Sequence, residues 1–182
     1  AVGKSSKYQV ASIKTPLEAC LRQAGKSRET RNETLIVAIR DSYVSRISTL
    51  DTERAQFIVH TTTTTHHIAS LAEISLVQPN VRIMSVGPRG IPVAILLPRD
   101  GLSTKLPVLF DPYGGPHAQR VVASRAAYNS SQWFADQGFV VVIVDNTGTP
   151  GKGSVWERGV MNDLAQPVLD DQVEILRDLN DL

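Results

Sequence analysis

Cysteine is almost absent from this 182-residue chain, because Cys20 is its only one. A single cysteine excludes a disulfide within the chain and leaves too few thiolates for a Cys-rich zinc module. Only four histidines accompany it, so the sequence predicts no bound metal. The lack of disulfides is typical of a reducing compartment, and we therefore expect a cytoplasmic protein.

Long apolar runs are also lacking. The longest, residues 139–144, is far shorter than the roughly 20 residues that a membrane helix needs. Residues 1–10 contain no apolar segment of the kind found in secretory signals. We expect neither a membrane partner nor a secretory leader.

Charge of one sign is in small excess, with 19 Lys and Arg against 18 Asp and Glu. The excess lies near the start, because residues 1–40 hold eight basic and three acidic side chains. These basic residues are spread out, and Tyr8 is the only aromatic among them, so a platform for stacked bases is missing. The pattern favours a solvated surface over a nucleic-acid partner.

Residues 1–78 are rich in strand signals. The sequence Thr15-Pro16-Leu17-Glu18 is a capping box, and it predicts a short amphipathic helix that ends at Gly25. Apolar, β-branched stretches predict strands at residues 35–39, 43–50 and 56–59. Short strands at this spacing indicate an antiparallel piece of an all-β module.

Residues 79–182 follow a different pattern, in which a hairpin leads into alternating strands and helices. Residues 81–86 and 91–97 form the predicted hairpin around the turn at 87–90, and strands follow at 106–110 and 139–144. Helices are predicted at residues 131–137 and from Pro167 onward. The expected buried stripe of the last helix comprises Leu169, Val173, Leu176 and Leu179. This order predicts a mixed α/β sheet.

The glycine-rich residues 148–154 follow an apolar strand, which is where a phosphate-binding loop belongs. A P-loop requires Lys directly before Ser or Thr, whereas Gly153 separates Lys152 from Ser154. The G-x-G-x-x-G fingerprint is absent, and no helix is signalled directly after the loop. A flexible turn is the favoured interpretation, and we expect no nucleotide or other cofactor.

Three of the four histidines flank the threonine run at residues 61–65. The neighbours His66 and His67 would point to opposite faces of a strand, and no carboxylate stands at ligand spacing from His60. An exposed hairpin or loop is favoured over a metal site.

The turn Asp111-Pro112-Tyr113-Gly114-Gly115-Pro116-His117 closes the strand predicted at 106–110. Ligands of open α/β sheets bind at this end of the strands. Glycines beside prolines predict a rigid backbone, on which the Tyr113 phenol could donate to an oxyanion. The alternative, a structural turn with Tyr113 packed as a partly buried aromatic, stays equally open from spacing alone.

Three stretches resemble the first half of the catalytic domain of the prolyl oligopeptidase family, with the bacterial dipeptidyl aminopeptidases as the most similar branch. They are LPVLFDPYGGPHAQ, SQWFADQGFVVVIVDNTGTPGKGSVWERG and DDQVEILRDL. The resemblance covers roughly residues 79–182. It implies a partial α/β-hydrolase fold in that part, and it implies that residues 1–78 adjoin or end a β-propeller.

The resemblance also implies a role for Tyr113, whose hydroxyl would donate to the oxyanion hole on a turn supported by Gly114, Gly115 and Pro116. The family pattern D-x-R-G is replaced at residues 145–148 by Asp-Asn-Thr-Gly, so any function of that arginine is in doubt. No G-x-S-x-G nucleophile elbow occurs, and the Ser-Asp-His triad is expected beyond Leu182. His117 is therefore interpreted as a turn or surface residue.

The predicted function is a segment of a serine peptidase that hydrolyses peptides through an acyl-enzyme and is inactive alone. Its expected partners are a peptide substrate and the remainder of its own chain, and homo-oligomerisation stays open. The main alternative is a non-catalytic α/β scaffold that recruits partners at an unpaired edge of the strand at 139–144. A nucleotide-binding protein is the third hypothesis.

Overall fold

The computed structural model describes residues 31–39, 42–100 and 106–180. The helix predicted at residues 15–25, together with Cys20, lies outside the described residues. Within them, the strands form two four-stranded sheets that follow each other along the chain.

The first sheet consists of β1 (Arg31–Ile39), β2 (Ser42–Thr49), β3 (Gln56–His60) and β4 (Thr65–Ile68). All neighbouring pairs are antiparallel, and the strands lie in chain order. Alternate side chains of β2 turn inward, so that Ser45 and Ile47 are buried. The three strands predicted here are confirmed, and β4 completes the expected hairpin with β3.

The second sheet contains β5 (Val81–Val86), β6 (Ile91–Leu96), β7 (Val108–Phe110) and β8 (Val140–Val144), in the order β5-β6-β8-β7. The β5–β6 hairpin turns through Gly87 and Gly90, both at positive φ. Strand β6 pairs antiparallel with β8, and β8 pairs parallel with β7. The predicted mixed α/β sheet is confirmed.

The hypothesis of an unpaired edge on the strand at 139–144 is wrong. Strand β8 lies between β6 and β7, so both of its edges are hydrogen-bonded. The outer strand on this side is the short β7, on which Val108 is 48% exposed. The uniform apolar character of residues 141–144 reflects this central place, because side chains on both faces are buried.

Helices cover both faces of the second sheet. A 3₁₀ turn (Arg125–Tyr128) leads into α1 (Asn129–Asp136), and Tyr128 and Ala135 pack on one face. The long α3 (Gln166–Asn180) places Ile175 on the other face. Both predicted helices are confirmed, and they complete a three-layer arrangement.

A short helix, α2 (Ser154–Glu157), begins directly after the glycine-rich loop and continues as a 3₁₀ turn, Arg158–Val160. The sequence signalled no helix here. Its short length explains the missed signal, because one helical turn shows no periodicity.

The stripe predicted on the last helix is partly wrong. Leu169 is 56% exposed and Leu176 is 41% exposed, whereas the buried positions are Asp171 and Ile175. Residues four apart share a helix face, so Asp171 and Ile175 form the inward face, and Leu169 and Leu176 lie on the opposite side. The helix docks through a buried carboxylate, which a search for apolar periodicity overlooks. Among the described residues, no helix is long and apolar enough to cross a membrane.

Candidate active site

Tyr113 stands just beyond the carboxyl end of β7. The backbone N–H of Asp111 donates to the carbonyl of Val142 at 2.9 Å, which extends the parallel pairing by one residue before the chain turns away. The turn therefore begins at the sheet edge where α/β proteins hold their ligands. Tyr113 itself is 43% exposed.

Two glycines shape the backbone beside this tyrosine. Gly114 has a φ of +70°, a conformation that L side chains rarely adopt. Gly115 lies under the phenol ring, so that a Cβ added there would be 2.8 Å from Cε1 of Tyr113 and 3.1 Å from its hydroxyl. The next residue, Pro116, is half-buried. The ring position thus depends on the absence of a side chain at position 115.

An ion pair joins the two ends of the loop that carries Tyr113. The Arg120 guanidinium donates to both carboxylate oxygens of Asp111, at 2.6 Å (Nη2 to Oδ2) and 3.3 Å (Nη1 to Oδ1). The Ser131 hydroxyl of α1 also donates to Oδ2 of Asp111, at 2.9 Å. The Arg120 guanidinium, with help from Ser131, lowers the pKa of the Asp111 carboxyl against the opposing effect of burial.

A second carboxylate holds the backbone where the loop ends. Asp145, directly after β8, accepts the N–H of Arg120 at 2.7 Å and that of Val121 at 3.2 Å. Burial raises the pKa of Asp145, and these two backbone hydrogen bonds oppose the shift. The buried Tyr128 hydroxyl accepts the N–H of Val122 and donates to its carbonyl, each at 2.9 Å.

Sequence analysis did not identify the residues that anchor the Tyr113 loop. They are Asp111, Arg120, Ser131 and Asp145. One signal could have found two of them. An aspartate directly follows each of the parallel strands β7 and β8, and such positions meet at one sheet edge.

Arg89, in the β5–β6 turn, joins the hairpin to α3. Its guanidinium pairs with the buried Asp171 and with Glu174, and these hydrogen bonds raise its pKa. Asp171 in turn accepts the backbone N–H of Thr147. Nη1 of Arg89 also lies 3.5 Å from the Thr147 hydroxyl.

Lys152 of the glycine-rich loop contacts the same β5–β6 turn. Its ammonium donates to the carbonyls of Arg89 at 3.1 Å and Gly90 at 2.9 Å, and it lies 4.0 Å from the ring centroid of Trp156. Burial and, secondarily, the charge of Arg89 lower its pKa. The Lys152 ammonium is therefore engaged within the protein, which argues against a phosphate-binding role.

The histidines of the first sheet are not brought together. His60 stacks on Tyr43 with ring centroids 4.3 Å apart, while His66 faces the Thr64 hydroxyl at 2.9 Å. His67 is exposed on β4, and His117 is exposed on the Tyr113 loop. Across the described parts of the chain, no cluster of three or more His, Cys, Asp or Glu side chains could hold a metal ion.

The described residues also form an open cleft beside the ion pairs between Arg89 and α3. Its lining comprises Arg89, Thr147, Asp163, Gln166, Pro167, Asp170 and Asp171. Tyr113 does not line it. The glycine turn and the Asp111–Arg120 pair, rather than this cleft, therefore define the candidate site.

The chain resembles known proteins, and its match to one family begins after the Tyr113 loop. Residues 126–182, which include α1, β8 and α3, match the model of the prolyl oligopeptidase family. The resemblance to that family is confirmed. A protein of Aspergillus flavus assigned as a dipeptidyl peptidase 4 is 38% identical over 72 residues, which are 38% of this chain and 9% of that protein.

Two solved structures resemble the prolyl oligopeptidase-like chain in fold, each with a TM-score of 0.62. A protein of Bacteroides ovatus described as a candidate dipeptidyl aminopeptidase IV is 21% identical, covering 82% of this chain and 23% of its own. The dipeptidyl peptidase 4 of Porphyromonas gingivalis is 20% identical and covers 81% and 23%. The chain thus spans less than a quarter of each of these relatives.

Proposed function

We propose that this chain is a segment of a serine peptidase of the dipeptidyl aminopeptidase type. One observation carries the proposal. An exposed tyrosine stands on a glycine turn at the carboxyl end of a parallel strand, and the match to the prolyl oligopeptidase family begins further along the chain, at residue 126. The peptidase names of the relatives support a peptide substrate.

The proposed role of Tyr113 is to stabilise negative charge. When a serine attacks a peptide carbonyl, the carbonyl oxygen becomes an oxyanion in the tetrahedral intermediate. The Tyr113 hydroxyl would donate a hydrogen bond to that oxygen, from a position set in advance by Gly114 and Gly115. A donor that is already oriented needs no rearrangement during the reaction, which makes its contribution large. The serine and its histidine and aspartate partners would come from outside these 182 residues.

The first sheet has a proposed place in the same enzyme. A propeller blade is a four-stranded antiparallel sheet, and strands β1–β4 have that topology. We propose that residues 1–78 end a β-propeller domain and that residues 79–182 begin the hydrolase domain. The break falls before β5, where the sheet topology changes from antiparallel to mixed.

The test is Tyr113→Phe in the full-length protein, which removes only the hydroxyl. We expect kcat/KM toward an aminoacyl-prolyl chromogenic dipeptide to fall about 10²–10³-fold, the usual effect of losing one oxyanion donor. Tyr43→Phe is the matched control, because Tyr43 is 42% exposed and lies on the first sheet. Equal turnover of the two variants would remove Tyr113 from the mechanism.

The scaffold alternative now concerns β7, the outer strand of the second sheet, on which Val108 is half-exposed. An open edge of this kind can pair with another strand, from the same chain or from a partner. Reading the codons that follow Leu182 separates the two functions. A G-x-S-x-G within the next strand and helix supports the peptidase, and a stop codon supports the scaffold.

A further inference from the structure

The loop that carries Tyr113 is closed at its base by charged groups. We propose that Asp111 and Arg120 are positioning residues. Their ion pair holds the Tyr113 hydroxyl in the position from which it can donate to the oxyanion. This inference rests on the proposed function of Tyr113 and names the residues that position its hydroxyl.

Backbone hydrogen bonds hold the loop only at its two ends. Among the described residues, 112–119 form no backbone hydrogen bond, and the next backbone anchors are Asp111 on one side and Arg120 on the other. Tyr113 is only two positions from Asp111. A shift of the Asp111 side of the loop would therefore move the phenol directly.

The Asp111–Arg120 pair also connects the ends of two strands. The Arg120 backbone is bound by Asp145 at the end of β8, while its guanidinium crosses to Asp111 at the end of β7. Ser131 adds a contact from α1 to the same Asp111 oxygen. Hydrogen bonds thus connect the base of the loop to β7, β8 and α1.

The Asp111–Arg120 ion pair is also partly shielded from water. Both partners are about one-third exposed, so the pair is better shielded from water than an ordinary surface salt bridge. Two N–H···O contacts from one guanidinium also fix its orientation, which a single point charge would not do.

The experiment is a double-mutant cycle in the full-length protein. Arg120→Met removes the charge, and we expect kcat to fall about 10–100-fold with KM changed less than about 3-fold, because a misplacement of about 1 Å can cost 10²-fold. In the Tyr113→Phe background the same change should have almost no further effect on kcat. Arg120→Lys, which keeps the charge without the fork, should recover part of the loss.

The control is Arg99→Met, which breaks a comparable ion pair with Asp136 at α1, away from the loop. It should lower the melting temperature about as much as Arg120→Met and leave kcat unchanged. If Arg120→Met folds poorly, Asp111→Asn repeats the measurement while keeping an acceptor for Ser131.

The outcomes separate this inference from the proposed function. An unchanged kcat in Tyr113→Phe overturns the proposed function itself. A reduced kcat in Tyr113→Phe, with Arg120→Met and Asp111→Asn both as active as Arg99→Met, overturns only the positioning role. Full additivity of Arg120→Met with Tyr113→Phe overturns it as well, since the pair would then act independently of the phenol.

Discussion

At the scale of single residues, Gly115 and Tyr113 illustrate how a small residue can determine where a large one lies. The phenol ring rests over Gly115, and no side chain fits between them. The turn sequence predicted a rigid backbone here, but the close approach of ring and backbone is a property of the folded loop.

Gly115→Ala is predicted to reduce activity by moving the ring rather than by unfolding the protein. The new Cβ would need to sit 2.8 Å from Tyr113 Cε1, so the phenol must swing away. We expect kcat/KM of the full-length protein to fall about 10–100-fold, in line with the effect of a displacement of about 1 Å.

Gly90→Ala is the matched control, because it has open space around it and only a positive φ to strain. It should lower the melting temperature and leave kcat/KM unchanged. If Gly115→Ala were as active as Gly90→Ala, the contact between position 115 and the ring would be irrelevant to catalysis.

At the scale of elements, the β5–β6 turn and α3 are joined by charge instead of by an apolar stripe. Arg89 reaches Asp171 and Glu174 on consecutive turns of α3, and Lys152 caps the carbonyls of the same hairpin turn. Burying a charged side chain is costly unless it is paired, and the buried Asp171 is paired with Arg89. This explains why the predicted leucine stripe points partly outward.

Arg89→Met is predicted to destabilise the protein by about 1–3 kcal/mol. Removal of one partner from a buried pair costs about 3–5 kcal/mol, and the partial exposure of Arg89 reduces that figure. The measurement is the free energy of unfolding of the full-length protein from thermal or urea denaturation. Arg99→Met, at a more exposed pair, should have a clearly smaller effect on the free energy of unfolding. Equal effects of the two changes would contradict the role of Asp171 as a buried anchor.

At the scale of the whole molecule, the described residues form two sheets of different topology and carry one proposed half of a catalytic site. The oxyanion donor lies at the edge of the second sheet, and no nucleophile elbow occurs in the sequence. The half-exposed β7 is the edge on which the α/β sheet could grow. The assignment of residues 1–78 to a propeller stays a prediction, as does the cytoplasmic location.

The isolated 182-residue chain is predicted to show no peptidase activity. A serine without the strand-to-helix elbow and its histidine has no base to activate it, and the chain contains no such elbow. Hydrolysis of an aminoacyl-prolyl chromogenic dipeptide by the purified chain should equal that of buffer. Hydrolysis that survives repeated purification and is lost on heating would contradict the expected place of the triad outside these residues.

The sequence by itself determined most elements and the position of the candidate tyrosine. Apolar alternation, the β-branched run at 139–144 and the glycine turn after residue 110 are local signals, so they can be read without knowing the fold. The order of β7 and β8, the inward face of α3 and the anchoring of Arg120 by Asp111 and Asp145 were decided only by the tertiary structure. These features depend on contacts between residues far apart in sequence, and a charged side chain reveals its burial only when its partner is in place.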